Sequence, residues 1–261
     1  MRLVDKKEIA TAFNRAVQTY DQQAFLQREV ADSLIQQVLQ NITSGKILDA
    51  GCGTGYVSQR LQQNSQYHLT ALDLSENMLS QAKINQSAHD YVQGDIEALP
   101  FADESFNCVV SNLAMQWCHS LEAAILEQLR VLKSGGQLYL STLIQPSLWE
   151  LKKAWQTVDD EQHVMDFISG EMLEHHLAKL ELHPSVDHIV CRCYAKELVF
   201  KDIFSLLKGL QNIGATALPQ RKKGLMGKAQ LQKLADAYAI YQDENGLPFT
   251  YYVAELRMAK L

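Results

Sequence analysis

One carboxylate and three closely spaced glycines follow a short apolar run, in the segment Asp49-Ala50-Gly51-Cys52-Gly53-Thr54-Gly55. Glycines at such a turn let backbone amides approach a nucleotide-like ligand, because they have no Cβ atom. The spacing differs from the dinucleotide fingerprint G-x-G-x-x-G, since Tyr56 stands where its third glycine would fall. A P-loop would need a Lys-Ser/Thr ending, and the carboxylate of Asp49 would repel phosphates. The pattern therefore favours a nucleotide-like ligand that carries positive charge.

Alternating strands and helices position this turn. The apolar patterns predict strands over 46–50, 68–73, 90–95, 106–111 and 137–142, with helices over 56–61 and 120–132. Ser75 is a predicted N-cap for a further helix that carries Met78. Strands separated by helices indicate a mostly parallel sheet covered on both faces.

The two ends of the chain complete the predicted fold. Residues 6–40 lack glycine and proline and have apolar residues at helical spacing, which predicts a helical cap. After Pro146 the patterns predict helices near 148–155, 171–177, 201–211 and 228–241, and strands over 187–200 and 249–256. We expect one doubly wound α/β domain with a seven-stranded sheet. Its predicted parts are a cap (1–42), a cofactor-binding half (43–145), an α-rich insertion or lid (146–186) and a C-terminal part (187–261).

Composition excludes several classes of function. The 261 residues include 24 Lys+Arg and 30 Asp+Glu, a net charge of −6, which argues against nucleic acid as a partner. The sequence has neither an apolar leader nor a run of about 18 apolar residues, so we expect a cytoplasmic protein without membrane contact. The five cysteines form no C-x-x-C pair, and we expect no metal. Cys191 and Cys193 are predicted to share one face of a strand as buried, inert thiols.

The glycine segment resembles the first motif of the class I S-adenosylmethionine-dependent methyltransferases, an acidic residue followed by G-x-G-x-G. The resemblance extends to Asp73 at the end of the second strand and to Gly94-Asp95-Ile96 at the end of the third. It implies a Rossmann-like fold and S-adenosylmethionine as cofactor. By resemblance, Asp49, Gly51 and Gly53 contact the methionine part, Asp73 the ribose, Asp95 and Ile96 the adenine edge, and Met78 packs on adenine, while Asn112 follows strand four near the methyl group.

Each of these residues also has a purely structural interpretation. The glycine turn could serve only the backbone, Asp73 could cap a helix, and Met78 could be a core side chain. The three together favour cofactor binding over a relative of the fold that has lost its cofactor.

A second resemblance is carried by residues outside the cofactor motifs. Ala12-Phe13-Asn14-Arg15-Ala16 with Tyr20-Asp21, Ser111 to Cys118, and Gly214-Ala215-Thr216 are similar to segments of the malonyl-[acyl-carrier protein] O-methyltransferases of biotin synthesis. This similarity covers nearly the whole chain. It implies methyl transfer to the free carboxylate of a malonyl thioester, which masks the charge so that the chain can be elongated toward pimelate, and it implies malonyl-acyl-carrier protein as partner.

The acceptor carboxylate needs no general base, because it is already ionised at neutral pH and requires only alignment and desolvation. A hydroxyl or a cation must hold it, since burying it unpaired is costly. We predict Tyr20 for the hydroxyl, although packing against Phe13 is an alternative role. Lys208 and Arg192 are candidate cations, or else surface charges. Gln116 and Trp117, which follow strand four, are candidate walls of the acceptor pocket, and core packing is an alternative role for Trp117.

An acidic carrier would need a local basic patch on this acidic chain. Such a patch is predicted from Arg221, Lys222, Lys223 and Lys228, with Lys208 and Lys233 near them in sequence, although it could also be an ordinary solvated surface. Two other functions stay open at this point. One is methylation of a small acid or a quinone precursor, and the other is non-catalytic binding of S-adenosylmethionine. The sequence does not determine the oligomeric state, the use of malonyl-CoA, or the carrier-docking surface.

Overall fold

A seven-stranded sheet forms the centre of the computed structural model, which describes residues 4–215 and 227–261. The strand order is β3-β2-β1-β4-β5-β7-β6. Strands β1 to β5 pair in parallel, and β7 is antiparallel to both of its neighbours. The strands are β1 (Gly45–Ala50), β2 (Tyr67–Asp73), β3 (Asp90–Gln93), β4 (Phe106–Ser111), β5 (Leu132–Ile144), β6 (Val186–Phe200) and β7 (Leu247–Lys260). The predicted fold class, a doubly wound and mostly parallel seven-stranded sheet, is confirmed.

Helices cover the sheet and begin at the polar residues that such positions favour. Ser75 caps α4 by accepting a hydrogen bond from the amide of Met78, as predicted. Asp202 and Ser205 form a reciprocal capping box at the start of α8. The helices are α1 (Lys6–Gln23), α2 (Phe25–Asn41), α3 (Tyr56–Leu61), α4 (Glu76–Ile84), α5 (Leu121–Val131), α6 (Trp149–Gln156), α7 (Gly170–Glu181), α8 (Ile203–Asn212) and α9 (Lys228–Tyr238).

The central strands are apolar along their length because both of their faces are buried. Ile47 and Leu48, neighbours on β1, are each fully buried but belong to different core clusters. Helices α2, α3 and α4 contribute to the cluster of Ile47, and α5 and α7 contribute to that of Leu48. A third cluster lies around α6, α8, α9 and β7. Since α6 and α7 both lie between β5 and β6, the insertion takes part in the core.

Hydrogen bonds hold helix α1 over the edge of the sheet where β1 and β2 end. The side-chain oxygen of Asn14 on α1 accepts hydrogen bonds from the hydroxyl of Ser75 at 2.7 Å and from the amide of Asn77 at 3.0 Å. Asp21, near the end of α1, accepts a hydrogen bond at 2.6 Å from the hydroxyl of Thr54 in the glycine turn. These contacts hold α1 above the turn.

The prediction for Cys191 and Cys193 is half right. Their sulfur atoms lie 3.8 Å apart on one face of β6, as the alternation of a strand requires. Both side chains are exposed, so the predicted burial is wrong. Strand β6 is the last strand of the sheet order, and residues 190–193 are exposed on both of its faces. Within residues 4–215 and 227–261, no helix has the length and apolarity needed to cross a membrane.

Candidate active site

The turn after β1 requires glycine at positions 51 and 55, where a side chain would clash. Gly51, Gly53 and Gly55 have φ angles of 82°, 55° and 90°, in the left-handed region that glycine adopts without strain. A Cβ atom on Gly51 would lie 2.5 Å from the Cβ of Ala114, and one on Gly55 would lie 2.1 Å from the Oγ of Ser87. The three glycines therefore let the backbone reverse direction tightly between β1 and α3.

Asp49 presents an unsatisfied oxygen next to this turn. Its Oδ2 atom accepts hydrogen bonds from the amide and the hydroxyl of Ser58, at 3.0 and 2.7 Å. Its Oδ1 atom is buried and has no hydrogen-bond partner in the described part of the chain. Burial raises the pKa of Asp49 to about 6, although both hydrogen bonds from Ser58 lower it. A buried carboxylate oxygen without a partner is the natural place for a cationic group of a ligand.

Asp73, at the end of β2, holds the glycine turn. Its Oδ2 accepts the amide of Gly53 at 2.8 Å, and its Oδ1 accepts the amide of Ser75 at 2.8 Å. Burial raises the pKa of Asp73, and the backbone hydrogen bonds lower it. The amide of Leu74 also bonds to this carboxylate. Since a carboxylate can accept about four hydrogen bonds, it keeps room for a further donor such as a ribose hydroxyl.

A cavity, here called the loop cavity, opens between the glycine turn and the junction of α1 and α2. It is lined by Tyr20, Asp21, Ala24, Gln27, Arg28, Asp49, Gly51, Cys52, Gly53, Thr54, Tyr56, Val57 and Asn112. Burial, together with the carboxylates of Asp73 and Asp21, raises the pKa of Tyr20 well above its usual range. The phenol of Tyr20 therefore keeps its proton at neutral pH and acts as a hydrogen-bond donor.

Comparison with known proteins shows relatives along nearly the whole chain. Residues 48–140 match the family model described as a methyltransferase domain. The malonyl-[acyl-carrier protein] O-methyltransferase of Erwinia pyrifoliae is 41% identical over 249 residues, which cover 95% of this chain and 91% of the relative. The protein of the same name from Yersinia pestis is 41% identical over 251 residues, covering 96% and 90%.

The chain belongs to the malonyl-[acyl-carrier protein] O-methyltransferase family. It is a methyltransferase, and its methyl donor is S-adenosylmethionine. The predicted family and cofactor are thus confirmed.

Solved structures share the fold at low sequence identity. The YcgJ protein of Bacillus subtilis has a TM-score of 0.59 at 14% identity, covering 88% of this chain and 98% of its own. The [4+2]-cyclase SpnF has a TM-score of 0.54 at 18% identity, covering 89% and 81%. A cyclase on the same framework illustrates that the fold alone does not determine the chemistry.

The geometry of the loop cavity fits the amino-acid end of S-adenosylmethionine. That end carries an ammonium and a carboxylate, and the partnerless Oδ1 of Asp49 suits the ammonium. Arg28, which lines the same cavity, makes no side-chain hydrogen bond or ion pair with other described residues and suits the carboxylate. Sequence reasoning missed Arg28, because its place on α2 gives no sign that the helix faces the glycine turn. The available signal was that Arg28 follows Tyr20 closely in sequence, with only the break between α1 and α2 at Ala24 between them.

The other residues predicted for the cofactor lie around the same edge of the sheet. Met78 is fully buried in α4, and Ile96 is buried with its Cδ1 atom close to Gly51. Asp95 accepts a hydrogen bond from the ammonium of Lys6 at 3.0 Å, so the start of α1 covers it. Asn112 lines the loop cavity, but its amide donates to the carbonyl of Gln27 at 2.8 Å and accepts a hydrogen bond from Ser141. The contacts of these residues with the cofactor stay predictions.

The two predicted cations lie away from the loop cavity. Arg192 is exposed on β6, where its guanidinium stands 5.1 Å from the ring centroid of Tyr194. Lys208 is exposed on α8. Neither side chain lines the cavity.

The predicted acceptor walls and the basic patch are placed only in part. Trp117 lies in a short 3-10 helix after β4 and packs edge-on against Phe13 of α1, with ring centroids 5.4 Å apart. Gln116, its neighbour, donates to the carbonyl of Leu113 at 2.6 Å. Of the basic patch, Lys228 and Lys233 lie on α9, whereas Arg221, Lys222 and Lys223 lie outside the described residues.

Proposed function

We propose that this chain transfers the methyl group of S-adenosylmethionine to the free carboxylate of a malonyl thioester on acyl-carrier protein. The observation that carries the proposal is identity of about 40% to curated enzymes of that name over about 95% of the chain. The matched family domain ends at residue 140, so this identity extends well beyond the cofactor-binding half. The product, a malonyl methyl ester, has lost one negative charge and can enter chain elongation toward pimelate for biotin. We place the reaction in the cytoplasm with the elongation enzymes.

The reaction needs alignment rather than a base. When bound, S-adenosylmethionine supplies a methyl carbon activated by its sulfonium. That carbon would pass to a carboxylate oxygen of the acceptor, and the electron pair of the broken carbon–sulfur bond would stay on sulfur. No proton moves, because the acceptor carboxylate is already ionised at neutral pH. Attack by an anion on a cation cancels both charges, so a site with little water favours the transition state.

Asp49 and Arg28 orient the methyl donor. The carboxylate of Asp49 takes the ammonium of the methionine part, and the guanidinium of Arg28 takes its carboxylate. Both groups line one cavity with the glycine turn, so together they would hold the methionine part of the donor in one orientation.

Tyr20 holds the malonyl carboxylate in this proposal. Its protonated phenol lines the loop cavity and can donate one hydrogen bond to an acceptor oxygen. A neutral donor orients the nucleophile, whereas a cation would stabilise the anionic ground state more strongly than the charge-neutralised transition state. We therefore assign this contact to Tyr20 and not to Lys208 or Arg192.

A methyl-transfer assay tests the proposed reaction. Labelled S-adenosylmethionine is incubated with the purified chain and malonyl-carrier protein, malonyl-CoA or succinyl-carrier protein, and product mass is measured. We expect the fastest transfer to malonyl-carrier protein. Transfer only to free small acids or quinone precursors, or cofactor binding without any transfer, would contradict the proposal.

Calorimetry tests the assignment of Arg28. Arg28→Gln should weaken binding of S-adenosylmethionine about tenfold or more, because a charge-assisted hydrogen bond contributes about 1.5–3 kcal/mol. Arg60→Gln is the matched control, since Arg60 is half exposed and only 3.9 Å from Asp32 in a surface ion pair. Equal affinity of the two variants would remove Arg28 from the cofactor site.

A further inference from the structure

A second depression, here called the side groove, lies beside the loop cavity at the same edge of the sheet. It is bounded by the start of α2, the end of β6 and one face of α8, and it encloses about 300 Å³. Strand β6 runs in the same direction as β5, because both are antiparallel to β7. Its last residues, Leu198 to Phe200, therefore reach the edge at which β1 and β4 end beside the glycine turn.

The side groove and the loop cavity meet at Gln27. This residue lines both spaces, and its backbone carbonyl accepts the hydrogen bond from Asn112 at the end of β4. A molecule lying along the groove would thus have one end beside the cavity that holds the methyl donor. The groove is the right kind of space for the part of the acceptor that does not react.

The lining of the groove is largely apolar. Leu26, Leu198 and Leu210 are among its apolar residues, and two more apolar side chains are uncovered: Phe25 is 59% exposed and Val199 is 45% exposed. Exposed large apolar side chains that group beside a cavity mark a binding surface for a ligand or a partner protein.

Polar side chains complete this lining. The amides of Gln23 and Gln27 lie on the side of the α1–α2 junction, and the ammonium of Lys201 is exposed just after β6. A ligand that fits would have an apolar body, amide groups and an anionic end.

We propose that the side groove binds the phosphopantetheine arm that carries the malonyl thioester. The arm consists of a phosphodiester, a carbon bearing two methyl groups, two amides and a terminal thioester, in that order. Lys201 pairs with the phosphodiester, the apolar lining contacts the methyl groups, and the glutamine amides bond to the amides of the arm. The thioester then reaches Gln27 and delivers the malonyl carboxylate to Tyr20. This proposal rests on the proposed function, because it takes a carrier-bound thioester as the acceptor.

Steady-state kinetics with acceptors of different arm length test this proposal. The acceptors are malonyl-carrier protein, malonyl-CoA and the malonyl thioester of N-acetylcysteamine, which lacks most of the arm. Val199→Asp places a charge against the apolar body of the arm and should raise KM for the first two acceptors roughly tenfold. It should leave KM for the truncated acceptor and the Kd of S-adenosylmethionine unchanged. Phe25→Ser is a second variant with the same expectation.

Leu182→Asp is the matched control, because Leu182 is 87% exposed and lies just after α7, near the start of β6 at the opposite edge of the sheet. Thermal unfolding checks that all three variants are folded. A KM increase that is equal for long and truncated acceptors, or no increase in either groove variant, would overturn the proposal.

Photo-crosslinking gives a readout that does not depend on methyl transfer. A carrier protein is loaded with a pantetheine arm bearing a diazirine, and crosslinked peptides are identified by mass spectrometry. Crosslinks to α8 or to the start of α2 support the groove, and crosslinks confined to other surfaces overturn it. Groove crosslinks without methylation of any malonyl thioester would refute the proposed function alone. Methylation with crosslinks elsewhere would refute the groove alone.

Discussion

Replacing Asp49 with asparagine should stabilise the fold and at the same time abolish tight binding of S-adenosylmethionine. The substitution keeps the shape of the side chain and leaves an oxygen to accept the two hydrogen bonds from Ser58. It removes the negative charge and places an NH₂ group where the partnerless Oδ1 now lies.

The size of the effect follows from the pKa of Asp49, which burial raises from 3.8 to about 6. The folded chain thus binds this proton more tightly than the unfolded chain does. Stability falls as pH rises from about 4 to about 6, and above that range the buried charge costs about 3 kcal/mol. Asp49→Asn removes this cost, which corresponds to a rise in Tm of roughly 6–12 °C at pH 8 for a chain of this size. Below pH 4 the difference should vanish.

Cofactor affinity should change in the opposite direction. In the wild-type chain, affinity should fall about tenfold for each pH unit below 6, because the protonated carboxyl no longer pairs with the ammonium. Asp49→Asn should bind at least about 100-fold more weakly at pH 8, since an ammonium is left buried without its partner, and should show little pH dependence between 5 and 8.

Thermal unfolding and calorimetry across pH 4–8 measure both effects. Asp187→Asn serves as control, because Asp187 is exposed on β6. A Tm difference between Asp49→Asn and wild type that stays constant with pH would refute the argument from burial. Wild-type cofactor affinity in Asp49→Asn would refute the assignment of the ammonium.

Three further substitutions, the last with a matched control, separate cofactor binding, turnover and fold. Asp73→Ala should weaken S-adenosylmethionine binding about tenfold or more, because it removes the charged acceptor that holds Gly53; unchanged affinity in calorimetry would exclude Asp73 from the site. Tyr20→Phe should lower kcat roughly tenfold at nearly constant cofactor Kd, and a wild-type rate on the malonyl thioester would remove Tyr20 from the mechanism. Gly55→Ala should lower the free energy of unfolding, measured with a denaturant, by about 2 kcal/mol or more, since its Cβ would lie 2.1 Å from a neighbouring hydroxyl. Gly170→Ala is the control: a Cβ there would stand in open space, so the free energy of unfolding should change by less than about 0.5 kcal/mol. Similar losses in both glycine variants would contradict this account of the turn.

Local patterns were enough to predict the sheet and the turn. The apolar runs at 46–50 and 68–73 are strands because both faces are buried, and Ser75 caps α4 because its hydroxyl reaches the amide of Met78. Burial of Cys191 and Cys193 could not be predicted, since alternation along a strand does not tell whether that strand lies at the edge of the sheet.

The site residues also differ in how far the sequence alone reveals them. Asp49 and the glycines follow one another in sequence, so their chemistry is visible without the fold. Arg28 reaches the loop cavity only because α1 and α2 fold back over the glycine turn, a tertiary contact fixed by Asp21 and Thr54. Lys208 precedes a segment shared with the family, but closeness in sequence does not direct a side chain on α8 toward the cavity.

The measurement that tests the central claim most directly is nuclear magnetic resonance of malonyl-carrier protein after reaction with S-adenosylmethionine labelled at the methyl carbon. The account predicts a single labelled methoxy signal, on the free carboxylate of the malonyl group, which mild alkali removes. A labelled methyl on the central carbon of the malonyl group, on a nitrogen of the carrier, or on no acceptor at all would contradict it.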